Sequence, residues 1–140
     1  MKQTINIRWQ GPYHINGISL YFKDYSPCIY AISRKWGSKE NLLYIGRTSR
    51  DLRQRIKEHN WLNEAKGIFI RRGTIELKPN QKWSDKLFHD IEALLITTLK
   101  PPENTQNTQF YCGRDGLDIN NCGHHGPIKK YVSTDDLPWG

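Results

Sequence analysis

A glutamate inside an apolar run is the feature that most limits how this chain can fold. Residues 87–96 read Leu-Phe-His-Asp-Ile-Glu-Ala-Leu-Leu-Ile, with Glu92 in the middle. At 100° per residue, Glu92 falls within the helical arc that holds Phe88, Ile91 and Leu95. Burying an ionised carboxylate is costly unless a cation or strong hydrogen-bond donors meet it. The sequence therefore predicts a helix whose apolar face brings Glu92 to a positive partner.

Capping and breaking signals bound this helix. Ser84 or Asp85 can cap its start. Pro101-Pro102 cannot continue a helix and disfavour helical geometry in the preceding residue, so the helix should end at about Leu99 or Lys100.

An earlier helix is predicted at about residues 50–65. Thr48 or Ser49 is its candidate N-cap, and apolar residues recur at roughly helical spacing, at Leu52, Ile56 and Leu62. Arg55 and His59 stand four residues apart and therefore share one face. By itself, such a pair is more typical of a solvated surface.

The remaining apolar segments predict strands. Alternation at residues 5–9 and a run at 18–22 indicate one or two short N-terminal strands, and the runs at 28–32 and 42–46 indicate an antiparallel hairpin. A further strand is expected over 68–77, broken or bent near Gly73. From Glu103 onward the chain is rich in Asn, Gln, Thr and Gly, which predicts a loop-rich tail.

Charge and length narrow the class of protein. The chain has 140 residues, enough for one domain, and 21 Lys and Arg against 14 Asp and Glu give a net charge of +7. Such a balance favours an anionic partner such as nucleic acid, although it also serves solubility alone. No apolar stretch has the length of a signal peptide or a membrane span, and three cysteines suit a reducing compartment. We expect a soluble, cytoplasmic protein with no membrane partner.

Several short motifs follow one another in an order that matches a known family. They are Cys28-Ile29-Tyr30, Tyr44-Ile45-Gly46, Arg55 with His59 on a helix, Glu92 on a later helix, and Asn104 after a proline. Each tripeptide is weak alone, but the ordered set over about residues 28–107 resembles the GIY-YIG nuclease superfamily. Cys28 departs from the pattern, since it stands where the family's first motif has glycine, and a small residue there should be tolerated in a strand.

The resemblance implies an α/β domain of the α+β type, with a small three-stranded antiparallel central sheet flanked by helices. Residues 1–140 would then form one stand-alone nuclease domain. It would have a core of about 26–107, an N-terminal β extension over 1–25 and a loop-rich C-terminal extension over 108–140.

The resemblance also implies an enzyme, a phosphodiesterase that cuts DNA endonucleolytically with one Mg²⁺ or Mn²⁺ and leaves 5′-phosphate and 3′-hydroxyl ends. By position, the catalytic residues would be Tyr30, Tyr44, Arg55, His59, Glu92 and Asn104, with Glu92 as the metal ligand. Nucleic-acid contacts would come from Arg47, Arg53 and Lys57. A hard cation bound by few carboxylates, with waters and phosphate oxygens completing its shell, would explain a glutamate on an apolar face. Arg55 would offset charge on phosphate, and Tyr30, Tyr44 or His59 would orient or deprotonate the water.

Other interpretations of these residues stay open. Tyr30 and Tyr44 can be packing residues, Glu92 can pair with Arg55 without metal, and Asn104 can merely form a turn. A non-cleaving nucleic-acid-binding module of the same fold, or a nuclease acting on RNA or branched DNA, are the alternative functions. Double-stranded DNA is the favoured partner, and cutting both of its strands would need a dimer or two successive nicks.

The tail and the tryptophans add two weaker signals. The tail contains four potential zinc ligands, Cys112, Cys122, His124 and His125. They lack the close cysteine pair usual in zinc sites, so a structural zinc is not favoured. Lone tryptophans can stack on bases, but more often they pack or cover a surface; four of them are Trp36, Trp61, Trp83 and Trp139.

Overall fold

A computed structural model describes residues 2–15, 27–49, 67–105 and 110–137. Within these ranges the chain forms six strands, one α-helix and a short 3-10 helix at Thr134–Asp136. In chain order the elements are β1 (Gln3–His14), β2 (Cys28–Trp36), β3 (Lys39–Thr48), β4 (Ile68–Glu76), α1 (Asp85–Leu99), β5 (Leu117–Gly123) and β6 (Tyr131–Ser133). The predicted helix at 50–65 and the predicted strand at 18–22 lie outside the described residues.

All six strands belong to one mixed sheet with the order β3-β2-β4-β1-β5-β6. The α+β class is confirmed, and the predicted hairpin is present as the antiparallel pair β2–β3, with β4 antiparallel to β2 on its other side. The expected three-stranded sheet is too small, because β1 joins β4 antiparallel and β5 parallel, which carries the sheet on to β6. The described residues also place a single α-helix on the sheet rather than flanking helices.

The tail contains two strands, β5 and β6, that its composition does not predict. In β5, Leu117, Ile119 and Asn121 are buried and alternate with less buried residues, which is the period of a strand with one face in the core. The polar composition of this strand concealed it, since Asn, Asp and Gly are depleted in strands. Asn121 is tolerated in the core because Trp9 Nε1 donates to its Oδ1 at 2.8 Å and its Nδ2 donates to the Lys129 carbonyl at 2.8 Å.

The predicted break near Gly73 does not occur, because β4 runs without interruption through that residue. A β-carbon at Gly73 would lie 2.8 Å from Ile7 Cγ2 and 3.0 Å from the Trp9 ring. Glycine is therefore present because two side chains of β1 press against the β4 backbone, not because the strand ends there.

Helix α1 begins and ends as its capping signals predict. Ser84 has extended backbone geometry, and its hydroxyl accepts a hydrogen bond from the Leu87 N–H at 3.0 Å. Lys100 adopts a left-handed conformation with φ of 49°, its N–H bonds to the Ile96 carbonyl, and Pro101 follows. The buried face of α1 packs with β1, with the Ile29, Ala31 and Ile45 face of β2 and β3, and with apolar residues of the tail.

A second apolar cluster lies on the other face of the sheet, formed by Cys28, Tyr30, Ile32, Ile68 and Ile70. Successive residues of a strand point to opposite faces, so neighbouring residues of β2 contribute to different clusters. In the part of the chain that the structure describes, no helix is long and apolar enough to cross a membrane.

Candidate active site

The two tyrosine motifs meet on the β2–β3 hairpin. Tyr30 is directly opposite Gly46 in the antiparallel register, and Tyr44 is opposite Ile32. A β-carbon at Gly46 would overlap Cζ and Oη of Tyr30 and would lie 2.9 Å from its Cε1. The Tyr30 ring therefore lies across the backbone of Gly46, a position that any larger residue at 46 would obstruct.

Tyr30 and Tyr44 form an aromatic pair with ring centroids 6.0 Å apart and an angle of 31° between the ring planes. Tyr30 is fully buried, whereas Tyr44 is partly exposed at the border of the second apolar cluster. Cys28 is buried beside them on β2, at the position where the family pattern has glycine. Of the two phenol groups, that of Tyr44 is the better placed to reach solvent.

Glu92 lies on α1 and meets a cation, as its position on the apolar arc predicts. The partner is Arg47 of β3, whose Nε donates to Glu92 Oε1 at 3.2 Å. The Glu92 side chain is 16% exposed and that of Arg47 is 36% exposed. Burial raises the pKa of the Glu92 carboxyl above its usual range, and the charge and hydrogen bond of Arg47 offset this only in part.

Phe88 completes the surroundings of the Arg47 guanidinium. The Arg47 Cζ lies 5.4 Å from the centroid of the Phe88 ring, and Phe88 stands four residues before Glu92 on the same helix face. One guanidinium therefore spans a ring and a carboxylate on successive turns of α1. Arg47 was predicted only as a nucleic-acid contact, and its pairing with Glu92 was missed because it joins residues 45 positions apart.

The tyrosine pair and the Arg47–Glu92 pair lie on different faces of the sheet. Ile45 packs in the α1 cluster and Tyr44 against the other cluster, so β3 passes between the two pairs. β3 is also the outer strand of the sheet. Among the described residues, the two pairs can therefore share a substrate only around the outer edge of β3.

Asn104 is bound to that same edge. Its Oδ1 accepts a hydrogen bond from the Ile45 N–H at 2.9 Å, and its Nδ2 donates to the Ile45 carbonyl at 2.8 Å. The neighbouring Glu103 N–H donates to the Leu43 carbonyl at 2.9 Å. The segment after α1 thus satisfies backbone groups that an edge strand would otherwise leave open. Asn104 holds the middle residue of the second tyrosine motif.

The family model for the GIY-YIG catalytic domain matches residues 26–107. The chain belongs to the GIY-YIG family. The matched range contains β2, β3, β4 and α1, and thus the tyrosine pair, Glu92 and Asn104. No curated protein and no solved structure gives a significant match to the chain.

Four positively charged or titratable positions of the GIY-YIG pattern remain outside the described residues. They are Arg53, Arg55, Lys57 and His59. Their roles as phosphate contacts, catalytic arginine and base therefore stay predictions.

The Glu92 carboxylate is the type of oxygen ligand that a hard divalent cation prefers. Among the described residues only Oε1 is engaged, by Arg47, and Oε2 accepts no hydrogen bond. Mg²⁺ commonly binds to one or two protein carboxylates, with waters and phosphate oxygens as its remaining ligands. Within 2–15, 27–49, 67–105 and 110–137, three or more His, Cys, Asp or Glu side chains never gather around a common point where a metal could bind. Any cation at Glu92 would thus draw most of its remaining ligands from water and substrate.

Two of the four potential zinc ligands in the tail, His125 and Cys122, and the tail residue Arg114 make side-chain contacts with the rest of the fold. His125 Nδ1 lies 2.6 Å from the Ile128 carbonyl, and Cys122 Sγ donates to the Ile7 carbonyl at 3.3 Å. Arg114 Nε donates to Asp90 Oδ2 at 2.8 Å, on the buried carboxylate of α1. Burial alone would raise the pKa of Asp90, but the Arg114 hydrogen bond and the charge of Lys86 more than offset it, and the pKa is lowered. Arg114 thus fastens the tail to α1.

Proposed function

We propose that this protein is an endonuclease that hydrolyses phosphodiester bonds in double-stranded DNA with the help of one Mg²⁺ or Mn²⁺ ion. The single observation that carries the proposal is Glu92: a carboxylate kept mostly out of water which, among the described residues, is held by one arginine through one of its two oxygens. A purely structural ion pair would gain little from such a position, because burial costs most of what the pairing returns. Membership of the GIY-YIG family supplies the reaction class.

Each residue of the proposed site has a chemical task. Glu92 would hold the cation. When bound, the cation would offset negative charge on the phosphoryl oxygens and on the departing 3′ oxygen. Arg55 would present its planar set of N–H donors to the phosphate. The products would be a 5′-phosphate and a 3′-hydroxyl.

Arg47 has a task of its own in this proposal. Its Nε alone is engaged by Glu92, and a guanidinium has five N–H donors. The remaining donors, on a side chain that is 36% exposed, can face a phosphate while Arg47 still neutralises the carboxylate. Arg53 and Lys57 would extend the basic path along the DNA backbone.

The proton of the attacking water requires an acceptor near solvent. Tyr44 is partly exposed and Tyr30 is fully buried against Gly46. We therefore assign the exchange of that proton to Tyr44, with His59 as its partner or alternative, and the packing of the motif to Tyr30. Asn104 would serve as a positioning residue, since its amide is occupied by the Ile45 backbone.

The decisive experiment measures cleavage and binding of DNA by the same purified proteins. Supercoiled plasmid is incubated with Mg²⁺ or Mn²⁺ and the wild type, Arg55→Ala or Glu92→Gln, and binding is measured separately in EDTA. Arg8→Ala and Glu76→Gln are matched controls, because these residues form an exposed pair on β1 and β4, the two central strands of the sheet. Nicking or linearisation by the wild type and both controls, with loss in the two site variants, supports the proposal.

A non-cleaving binding module predicts a different result. The wild type would bind DNA without cutting plasmid, single-stranded, branched or RNA substrates, and Arg55→Ala and Glu92→Gln would cut nothing and bind as well as the wild type. That outcome would replace the nuclease proposal.

A further inference from the structure

The turn of the β2–β3 hairpin carries an exposed aromatic ring. β2 ends at Trp36 and β3 begins at Lys39, with only Gly37 and Ser38 between them. Trp36 is 61% exposed, although it belongs to a strand. Single exposed apolar residues are ordinary, so the ring becomes informative only through its surroundings.

Those surroundings are strongly basic. Arg34, Lys35 and Lys39 flank Trp36, and the one nearby acid is Glu40. Glu40 is occupied by Arg71, whose Nε and Nη2 donate to its two carboxylate oxygens at 2.9 and 2.6 Å. In the described part of the chain, neither Lys35 nor Lys39 forms an ion pair. Among the described residues, the turn of the hairpin therefore carries more basic than acidic side chains beside an aromatic ring.

The Arg34 side chain packs against the Trp36 ring. Its guanidinium carbon lies 5.5 Å from the centroid of the Trp36 ring, within the range of a cation–π contact. The guanidinium lies over the indole, and Trp36 is 61% exposed. An exposed aromatic ring beside basic side chains is the combination by which proteins hold single-stranded nucleic acid, with bases stacked on the ring and phosphates on the cations.

We propose that this tip, formed by Arg34, Lys35, Trp36 and Lys39, binds an unpaired base of the nucleic-acid substrate. The inference rests on the proposed function and adds to it a substrate class: DNA with a gap, flap or tail near the cut. An unpaired base is favoured over a paired one because stacking inside a duplex would first require two base pairs to separate.

The hairpin also sets a distance between this subsite and Tyr44, the proposed acceptor of the water's proton. Trp36 is opposite Lys39 and Tyr44 is opposite Ile32, so four residues of β2 separate the two positions. At a strand rise of about 3.3 Å per residue this is roughly 13 Å. Such a length corresponds to about four nucleotides along a DNA strand at about 3.4 Å each. The unpaired base should therefore lie about four nucleotides from the cut phosphate.

The chain offers a closely matched control. Tyr131 on β6 is also 61% exposed, and Lys130 Nζ lies 5.4 Å from its ring centroid, but β6 is the opposite edge of the sheet from β3. Loss of an exposed aromatic with a cationic neighbour can thus be compared at two places. Both side chains are exposed, so neither variant should unfold, and thermal unfolding followed by circular dichroism verifies this.

The test measures binding in EDTA, so that no cleavage takes place. Fluorescence anisotropy gives Kd values for a blunt duplex and for the same duplex with a short single-stranded gap, using the wild type, Trp36→Ala, Trp36→Phe and Tyr131→Ala. The wild type should prefer the gapped DNA, and Trp36→Ala should weaken that binding about 5- to 100-fold while changing duplex binding little. Trp36→Phe should recover part of the affinity and Tyr131→Ala should bind as the wild type does.

Three outcomes overturn the inference: equal losses on gapped and blunt DNA, equal losses in Trp36→Ala and Tyr131→Ala, or no loss in Trp36→Ala. Cleavage of the same DNAs is measured in a separate assay with Mg²⁺. Trp36-dependent binding without any cleavage would remove the nuclease proposal and keep the base-binding tip. Cleavage with no effect of Trp36→Ala on either DNA would do the reverse.

Discussion

The ring of Tyr30 crosses the backbone of Gly46, so that the motifs Cys28-Ile29-Tyr30 and Tyr44-Ile45-Gly46 meet through one contact. Gly46 has ordinary strand geometry, and what requires glycine there is the space the ring occupies rather than backbone conformation. The contact is on the face of β3 opposite α1 and the Arg47–Glu92 pair. It therefore links the packing of the sheet to the position of the strand that carries Tyr44.

Gly46→Ala should destabilise the protein and reduce cleavage together. The added methyl group overlaps Tyr30 Cζ and Oη, so either the ring or β3 has to move. Overpacking of this kind costs about 1–3 kcal/mol, which urea unfolding would detect as a lower midpoint. In a Tyr30→Leu background the same substitution should cost less, since the overlapping atoms are gone. Equal costs in both backgrounds would show that another neighbour creates the strain.

Asn104→Ala should lower stability even without DNA or metal. The substitution leaves the Ile45 N–H and carbonyl without their partners, and losing such hydrogen bonds costs about 1–3 kcal/mol. Hydrogen exchange at the Ile45 amide should become faster. Asn41→Ala is the control, because Asn41 is exposed on the same strand. An Asn104→Ala protein with unchanged stability and lost cleavage would assign Asn104 to chemistry instead.

Local patterns predicted the parts of the fold that depend on neighbours in sequence. The periodicity of α1, its Ser84 cap and the stop before Pro101 were all readable, since each involves residues within a few positions. The hairpin motifs were equally local, and their order identified the family. Glu92 was correctly predicted to need a cation, because that requirement follows from burial alone.

The parts that depend on distant partners were not readable. Nothing in the segment of Arg47 indicates that this arginine meets Glu92. β5 was missed because a polar strand is stable only where its buried Asn121 finds Trp9, more than a hundred residues earlier. The same holds for Asn104. The local sequence around an asparagine is the same whether it forms a turn or bonds to a strand, and only its distant partner, here the Ile45 backbone, distinguishes the two.

Glu92→Gln should alter stability in a pH-dependent way. Since burial raises the pKa of Glu92 in the folded state, the protonated form is favoured there. The raised pKa therefore increases the free energy of unfolding when the pH is below the ordinary carboxyl pKa. This contribution is lost as the pH rises through the raised pKa. In EDTA, the Tm of Glu92→Gln should therefore equal that of the wild type near pH 4 and exceed it near pH 8.

Addition of Mg²⁺ or Mn²⁺ at pH 8 should reduce that difference by raising the Tm of the wild type only, because a cation that binds the ionised carboxylate stabilises the folded state. Glu76→Gln, at an exposed carboxylate, is the control for removing one negative charge. A metal-induced rise of equal size in Glu92→Gln would show that the cation binds elsewhere.

Glu40→Gln should be far more damaging than Glu76→Gln, although each removes one carboxylate from an arginine pair. Arg71 and Glu40 are 7% and 10% exposed, and Arg71 also donates to the His124 carbonyl of the tail at 2.5 Å. Removing one partner of a buried pair leaves an uncompensated charge and costs about 3–5 kcal/mol. Arg8 and Glu76 are 57% and 45% exposed, and breaking such a pair costs less than about 1 kcal/mol. Urea unfolding of both variants at pH 7 gives the comparison, and similar midpoints would mean that water or another acceptor satisfies Arg71 once Glu40 is neutral.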